Sequence, residues 1–500
     1  MRKELVFLSD PIGKTEYFSY NQLNKIVSAY EGKETQKSKE TKAEGPQVLS
    51  GDSIELSPML DTLQDVLILP PKSLTKSTET IDSGTVAKDL SEKGIEIDDK
   101  LNVVPAVTAR LDRESLAMLK DEGYQIFDNS RRSLLPGIPK SSYKAEGDKP
   151  WDMPKIEDVK WTEADKLHQK GITGKGQVIA IIDSGYDHPQ KPLKAWKDIA
   201  DGKSKPWDPH GHGTHVAGDA IKMAPDADLV GVRVMGADGS GRPSDILKGL
   251  QWVVENKEKY NISVVNMSLG GPPDGAPWHL DPINRAVAIA TKAGLTVVAA
   301  AGNDGPERHT IGSPADSPHA LTVGAALNPS VVSDFSSRGP TDDRLAKPDV
   351  IAPGEYITSW AVPQSELDQI ATVMDTLRKM TPSQLRQLFI AKPDLVEALG
   401  LPGDIVKKDD VTLEKTTKMN LPPMYKPTPN TVAGPGTSFA APEVAGIVAG
   451  LKQVKPDATP EKLIDAVEGT AKNMGAQFSV IDQGKGFIQA EKAAEQLKKA

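Results

Sequence analysis

The stretch that decides the fold is "GQVIAIIDSGYD", residues 176–187. Its centre, Val178 to Ile182, is an unbroken apolar run rich in β-branched residues. A strand with one face in water alternates apolar and polar. A continuous run is buried on both faces, the mark of a parallel sheet covered by helices. "ADLVGVRVM" (227–235), "ISVVNMSL" (262–269), "LTVVAAAG" (295–302) and "ALTVGAA" (320–326) have the same character. Helical stretches separate them: "HVAGDAIKM" (215–223), "SDILKGLQWVVENKEKY" (244–260) and "DPINRAVAIATKAG" (281–294). Strand alternating with helix predicts an α/β domain with a mostly parallel sheet, over about 156–500.

Upstream, about residues 60–130 read as a small α+β unit. "DVLILPP" is a strand and "GTVAKDLSEKG" a helix. "IEIDDKLNVVPAVTARL" is one or two strands broken near Pro105. "DRESLAMLKDEG" is a helix with Asp112 as N-cap, and "YQIFD" closes the unit. That β-α-β-β-α-β order is the split βαβ, or ferredoxin-like, arrangement. Residues 1–59 are an N-terminal segment followed by a polar linker. Its stretch 31–47 lacks large apolar side chains, and 1–30 is short and weakly patterned. Residues 131–155 carry Pro136, Pro139, Pro150 and Pro154 among polar residues and read as a second linker.

The α/β pattern breaks once, at about 363–430. Leu367, Ile370, Met374 and Leu377 share one helical face, and Thr381 with Pro382 opens a second helix. A helical insertion is expected, acting as a lid or exosite, a peripheral appendage or an oligomerisation element.

Composition narrows the function. Charged residues make up 26% of the 500, with a net charge of −9, which argues against a general nucleic-acid surface. The absence of cysteine excludes disulfides, thiolate metal sites and a cysteine nucleophile. The N-terminus has only a short apolar run, against roughly 7–15 residues in a secretory leader. No stretch approaches the ~20 apolar residues of a membrane span. The chain is therefore expected to be cytoplasmic, or secreted if a leader has been removed.

Four stretches carry candidate chemistry. Asp183 closes a buried strand, where α/β sheets bind ligands, though a turn aspartate reads the same way. "PHGHGTHVAG" (209–218) holds His210, His212 and His215. A zinc pair usually has i, i+4 spacing around a glutamate, and neither feature is present, so no metal site is expected. Asn303 follows an apolar strand between Gly302 and Gly305; its amide is a donor or an ordinary turn residue. Ser438, in "GPGTSFAAP", opens a small-residue helix, as a nucleophile or a cap. Together the four supply acyl transfer. A serine hydroxyl needs a base, the imidazole needs an acid to hold its tautomer, and the tetrahedral oxyanion needs donors set in advance.

"VIAIIDSG", "HGTHVAG", "VVNMSLGGP", "VVAAAGNDG", "FSSRGPTDDRLAKPDVIAPG" and "GTSFAAP" together resemble the subtilisin-like serine proteases, the subtilases, in that family's order of Asp, His and Ser. "TPEKLIDAVEGTA" and "GKGFIQAEKAA" resemble the family's final helices and strand. The 60–130 unit resembles its propeptide. The resemblance implies a three-layer subtilisin-like fold and a serine endopeptidase made as a self-processing zymogen. Asp183 then orients His212, the general base for Ser438. The oxyanion hole is the Asn303 side chain with the Ser438 backbone N–H. Gly239, Ser240 and Gly241, and Ser268, Leu269 and Gly270, resemble two edges between which a peptide pairs as an added strand. Ser268–Gly270 and Ala300, Ala301, Gly302 and Asn303 would wall a roomy specificity pocket with Gly312 at its base and Asp304 at its rim. His215 is expected to be packed or hydrogen-bonded, and His210 has no family role.

No cofactor is required, and calcium at sites with no readable ligand set stays an open alternative. In many family members a calcium loop interrupts the helix after H-G-T-H, and "HVAGDAIKMAPDADLVGV" runs on without it. The implied partners are protein or peptide substrates and the chain's own propeptide as an intramolecular inhibitor, with a processing site expected in 131–155. Arg131–Arg132 marks one place for the cut. Two other readings stay open: a protease that cuts only itself, and a protease-shaped binding protein.

Overall fold

The computed structural model describes residues 17–18, 20–31, 63–71, 82–135, 137–141, 154–273 and 275–499. The expected linker at 31–47 lies outside the described residues, except for Glu31 at the end of a helix.

Eight strands form the main sheet among the described residues. Edge to edge they run Val331–Val332, Leu321–Asn328, Thr296–Ala300, Ile262–Met267, Val178–Asp183, Asp228–Arg233 and Ala195–Asp198, with Val350–Pro353 also paired to Leu321–Asn328. All pairs are parallel except the one made by Val331–Val332. The strand of the opening stretch shows why its run is continuous. Val178, Ala180 and Ile182 enter one core, beneath the helices Pro243–Tyr260 and Pro282–Lys292. Ile179 and Ile181 enter the other, beneath His212–Met223 and Thr437–Val454. Period-two alternation thus divides the side chains between two buried faces, which gives the three-layer fold. Among the described residues no helix is long and apolar enough to cross a membrane.

The N-terminal unit is a four-stranded antiparallel sheet in the order Asp99–Leu101, Ala106–Leu111, Gln64–Leu69, Gln125–Asp128. Its helices Ser83–Glu92 and Arg113–Asp121 begin at aspartates whose carboxylates accept from Thr85 N (2.7 Å) and Ser115 N (2.8 Å). Val66, Ile68, Val86, Leu90, Val107 and Leu119 fill its own core. The sheet's other face turns Leu67, Leu69 and Leu101 into the core beneath Pro243–Tyr260. Polar ties fix the dock: Ser244 N donates to Asn129 Oδ1 (3.0 Å), and Lys248 pairs with Asp99 (2.6 Å). The unit thereby satisfies an orphan donor at a helix start of the main domain.

The insertion rises from a ribbon. Ile357–Trp360 pairs antiparallel with Thr431–Gly434, which also pairs with Tyr425–Thr428. The inserted helices are Glu366–Lys379, Pro382–Ala391, Pro393–Ala398 and Asp410–Asn420. Because the chain leaves and returns on neighbouring strands, the insertion leaves the path to Ser438 undisturbed. The predicted stripe of Leu367, Ile370, Met374 and Leu377 is fully buried, and Thr381 forms a capping box with Gln384. In the tail, helices Pro460–Thr470 and Ala490–Lys499 form as expected. The expected strand around Phe487 is reduced to isolated bridges with Ile351 and Lys472.

Within the stretch read from sequence as a linker, Arg132–Ser133 and Ile138–Pro139 are paired as short strands, and 142–153 lie outside the described residues. The weak pattern of residues 1–30 contains a short strand, Tyr17–Phe18, and a helix, Tyr20–Glu31.

Candidate active site

Asp183 is the last residue of its strand, 1% exposed, and His212 opens the helix His212–Met223, 2% exposed. His212 Nδ1 donates to Asp183 Oδ1 at 2.7 Å, and Ser184 N donates to the same oxygen at 2.7 Å. The helix start sits directly on the strand end. Gly213 N donates to Ser184 Oγ (2.9 Å), and a Cβ built on Gly213 would lie 2.3 Å from the Gly185 carbonyl oxygen. Only glycine permits that approach.

A second aspartate holds this junction. The buried Asp208 carboxylate accepts from Gly211 N (2.8 Å), Thr214 N (2.8 Å), Thr214 Oγ1 (2.7 Å) and Ser184 Oγ (2.9 Å). A carboxylate with four donors at a helix start is well compensated for its burial. Below it, the buried Arg233 guanidinium donates Nε to Ser184 O (3.0 Å) and pairs with Asp198 (3.0 Å). Neither Asp208 nor Arg233 was singled out from sequence. Both act on Ser184, which lies 24 positions from Asp208 and 49 from Arg233, so no local motif marks the junction they hold.

The other two histidines are placed differently. His215 Nδ1 bonds Asp219 Oδ2 (2.8 Å), Nε2 meets the Val432 carbonyl (3.1 Å), and the ring lies 4.0 Å from Phe439. His210 is fully buried, its ring 6.1 Å from that of His212. Burial, with the nearby His212 adding to it, pushes His210 down to about 3, so it stays neutral near pH 7.

Ser438 lies in the first turn of Thr437–Val454 and is 7% exposed. A Cβ built on Gly436 would lie 3.0 Å from Ser438 Oγ and 3.8 Å from Asn303 Nδ2, so hydroxyl and amide converge on one spot. The His212 ring stands 5.5 Å from that of Phe439, the next residue. Thr437 fixes the amide. Its N and Oγ1 both donate to Asn303 Oδ1 at 2.9 Å, which leaves Nδ2 as the outward group. Pro442 has no N–H, so the Ser438 carbonyl lacks its helical partner. Ser268 Oγ supplies one at 2.7 Å, itself accepting from Asn266 Nδ2 at 2.9 Å. The helices bearing His212 and Ser438 cross closely at Gly446, where a Cβ would come 2.3 Å from Ala220 O. The signals for Thr437 and Pro442 were present within "GTSFAAP", but their roles need the partners Asn303 and Ser268.

The two expected cleft edges lie on either side of one segment of the same chain. Arg132 and Ser133 pair antiparallel with Gly241 and Ser240. Leu134 N donates to Gly239 O, and Gly270 N donates to Leu134 O, both at 3.1 Å. Arg131 Nε donates to Ser240 Oγ (2.7 Å). Leu134 and Leu135 are buried, and Leu135 and His210 both lie within 3.2 Å of a Cβ built on Gly239.

The expected pocket residues also gather at neighbouring strand ends. Ser268, Leu269 and Gly270 follow Ile262–Met267. Ala300, Ala301, Gly302 and Asn303 end or follow Thr296–Ala300, the adjacent strand. Gly312 joins them with its α-carbon against the backbone of Gly271–Pro273, 2.2 Å from Gly271 O for an added Cβ. Its glycine is required by close backbone approach. Asp304 is held above the ordinary carboxylate range by burial. Among the described residues, no group of three or more His, Asp or Glu is placed to hold a metal ion.

Comparison with known proteins identifies the family. The model of the subtilase family matches residues 174–487. Serine protease AprX of Bacillus subtilis (strain 168) is 38% identical over 226 residues, which cover 40% of this chain and 51% of AprX, so the match spans about half of that relative's length. Subtilisin E of the same organism is 28% identical over 438 residues, covering 84% of this chain and 89% of that protein. Subtilisin BL of Lederbergia lenta is 34% identical over 220 residues, 42% of this chain and 73% of the relative. With a family match across more than half its length, the chain belongs to the subtilase family of subtilisin-like serine proteases.

Proposed function

We propose that the protein is a serine endopeptidase made as a zymogen, in which Asp183, His212 and Ser438 carry acyl transfer. Ser438 Oγ attacks the scissile carbonyl, forming a C–O bond as its proton passes to His212 Nε2. Asp183, bonded to Nδ1, holds the tautomer and offsets the imidazolium charge. The oxyanion is met by Asn303 Nδ2 and the Ser438 N–H, at a helix start where negative charge is favoured. Imidazolium then protonates the departing amine as the C–N bond breaks. Water repeats the sequence on the acyl-enzyme and frees the serine. Protonated imidazole cannot act as the base, so activity is lost in acid. The observation that carries this reading is the convergence of Ser438 Oγ and Asn303 Nδ2 beside the buried Asp183–His212 pair.

Peptide substrates lie between Gly239–Gly241 and Ser268–Gly270, where the chain's own residues 132–134 now pair. The unit at 60–130, with that segment, is the inhibitor. The segment passes Gly241 at Arg132 and Gly239 at Leu134, and Leu135 and His210 both approach Gly239, with the His212 ring 6.1 Å from that of His210. Processing therefore falls between Leu135 and Ile138, rather than at Arg131–Arg132. The reaction uses only the chain's own groups, and we propose that chelation with EDTA leaves turnover unchanged.

A fluorophosphonate probe labelling Ser438, followed by casein turnover, tests the reading. Labelling without turnover of any added protein favours a second reading, a protease that cuts only itself, which the self-occupied cleft supports. Absence of labelling after the pro-region has been removed overturns both.

A further inference from the structure

Two elements not foreseen as structured meet the helical insertion, whose role the sequence left open between a lid or exosite, an appendage and an oligomerisation element. The helix Tyr20–Glu31 fully buries Leu23 and Ile26 and leaves Val27 only 6% exposed. Their i, i+3, i+4 spacing makes one apolar face. That face joins a core with Leu367 and Ile370 of the inserted helix Glu366–Lys379 and Leu395 of Pro393–Ala398. Asn24 Nδ2 donates to Glu366 Oε1 at 2.9 Å, and Lys392 lies 5.5 Å over the Tyr30 ring. Just before the helix, Tyr17–Phe18 pairs antiparallel with Ile138–Pro139. Ile138 is three residues past Leu135, the end of the cleft segment. The insertion also touches the histidine loop: Glu366 N donates to Pro209 O (3.1 Å) and Leu367 N to His210 O (3.0 Å).

We propose that the inserted helices are a docking surface for the chain's own residues 17–31, and that this N-terminal latch holds the cleft segment in place across the processing site. The proposal rests on the reading above that residues 132–135 block the cleft. The 60–130 unit grips the chain before the cleft, through the sheet that packs under Pro243–Tyr260. The latch grips it after the cleft, through Ile138–Pro139. Residues 32–62 join the two grips, so both belong to one N-terminal fragment after a cut past Leu135. A fragment held at two sites rebinds intramolecularly whenever one site opens, and its release is slowed without any new contact at the cleft. The insertion thereby gains a defined role as the second receptor for the pro-region, set beside the catalytic histidine loop.

Hydrogen exchange read by mass spectrometry on the full-length Ser438→Ala chain tests this without turnover or processing. Leu23→Asp with Ile26→Asp undocks the helix. Phe18→Pro removes the strand pairing and leaves the helix face intact. Each is expected to raise exchange across residues 132–139 by about 10-fold or more, with exchange in 82–128 unchanged. Unchanged exchange at 132–139 in both variants, with residues 20–31 opened in the first, overturns the latch. Faster exchange throughout 82–128 as well overturns it too, since the effect would then be general unfolding. In the wild-type chain the same substitutions should shorten the delay between processing and turnover. Because the exchange readout needs no catalysis, a failure of the protease reading appears separately, as absent fluorophosphonate labelling.

Discussion

Two histidines one turn apart on the same helix are each paired with a carboxylate. Asp183–His212 and Asp219–His215 are both buried, with Nδ1–oxygen distances of 2.7 and 2.8 Å. Judged by the pair alone, they are the same device. They differ in what the second ring nitrogen meets. His215 Nε2 is occupied by the Val432 carbonyl, which ties the helix to the strand leading into the serine loop. Among the described residues no hydrogen bond occupies His212 Nε2, and the ring stands 5.5 Å from that of Phe439, the residue after Ser438. A histidine acts as a base only if one nitrogen is left for the substrate's chemistry. The first pair is therefore available for catalysis, and the second is a brace.

The sharpest way to break this comparison is to remove each ring in turn. His212→Ala should reduce peptide hydrolysis to background. His215→Ala should leave kcat within about 10-fold and cost roughly 1–3 kcal/mol of stability, because the buried Asp219 is left without its partner. Urea unfolding in a Ser438→Ala background measures the second effect. Equal loss of turnover from both would show that the brace and the base are not separate.

Next in size is the donor beside the catalytic pair. Asn303→Leu should lower kcat by on the order of 10²–10³ with KM little changed. Thr437→Val keeps the asparagine and frees its amide to rotate, since only one of the two bonds to Oδ1 remains. It should cost about 10-fold in kcat, and a loss as large as that of Asn303→Leu would mean Thr437 acts on substrate directly.

The smallest effect belongs to the third histidine. His210→Asn should leave kcat within a few-fold, and its signature is instead in acid stability. The folded protein holds His210 down at about 3, while an unfolded imidazole titrates near about 6.5. Between those values the unfolded state binds the extra proton, so stability falls as pH falls through that window. Urea midpoints of the Ser438→Ala chain against His210→Asn/Ser438→Ala, followed from neutral pH downward, should show the slope flattened in the double variant.

The proposed catalytic constellation could be read from sequence because each member lies in a short motif whose local structure is encoded nearby. Asp183 ends a run that can only be a doubly buried strand, and His212 and Ser438 open helices after glycines. The N-caps Asp112 and Thr381 were readable for the same reason, since a cap and the amide it accepts from are three residues apart. What was missed is bonded across long separations. Ser268 reaches Ser438 over 170 positions, His215 reaches Val432 over 217, and Asn24 reaches Glu366 over 342. Composition likewise hid the partners within the expected linker: residues 132–134 pair in the cleft, and Ile138–Pro139 pair with Tyr17–Phe18.

By itself the sequence determined the layers, the order of the chemical groups and the family, because burial periodicity and capping act between close neighbours along the chain. Only the tertiary structure decided what occupies the second nitrogen of His215, what orients the Asn303 amide, and where residues 20–31 and 132–135 go. Those outcomes depend on which surfaces meet, and a hydrogen bond between distant residues leaves no periodic trace in either partner's own stretch of chain.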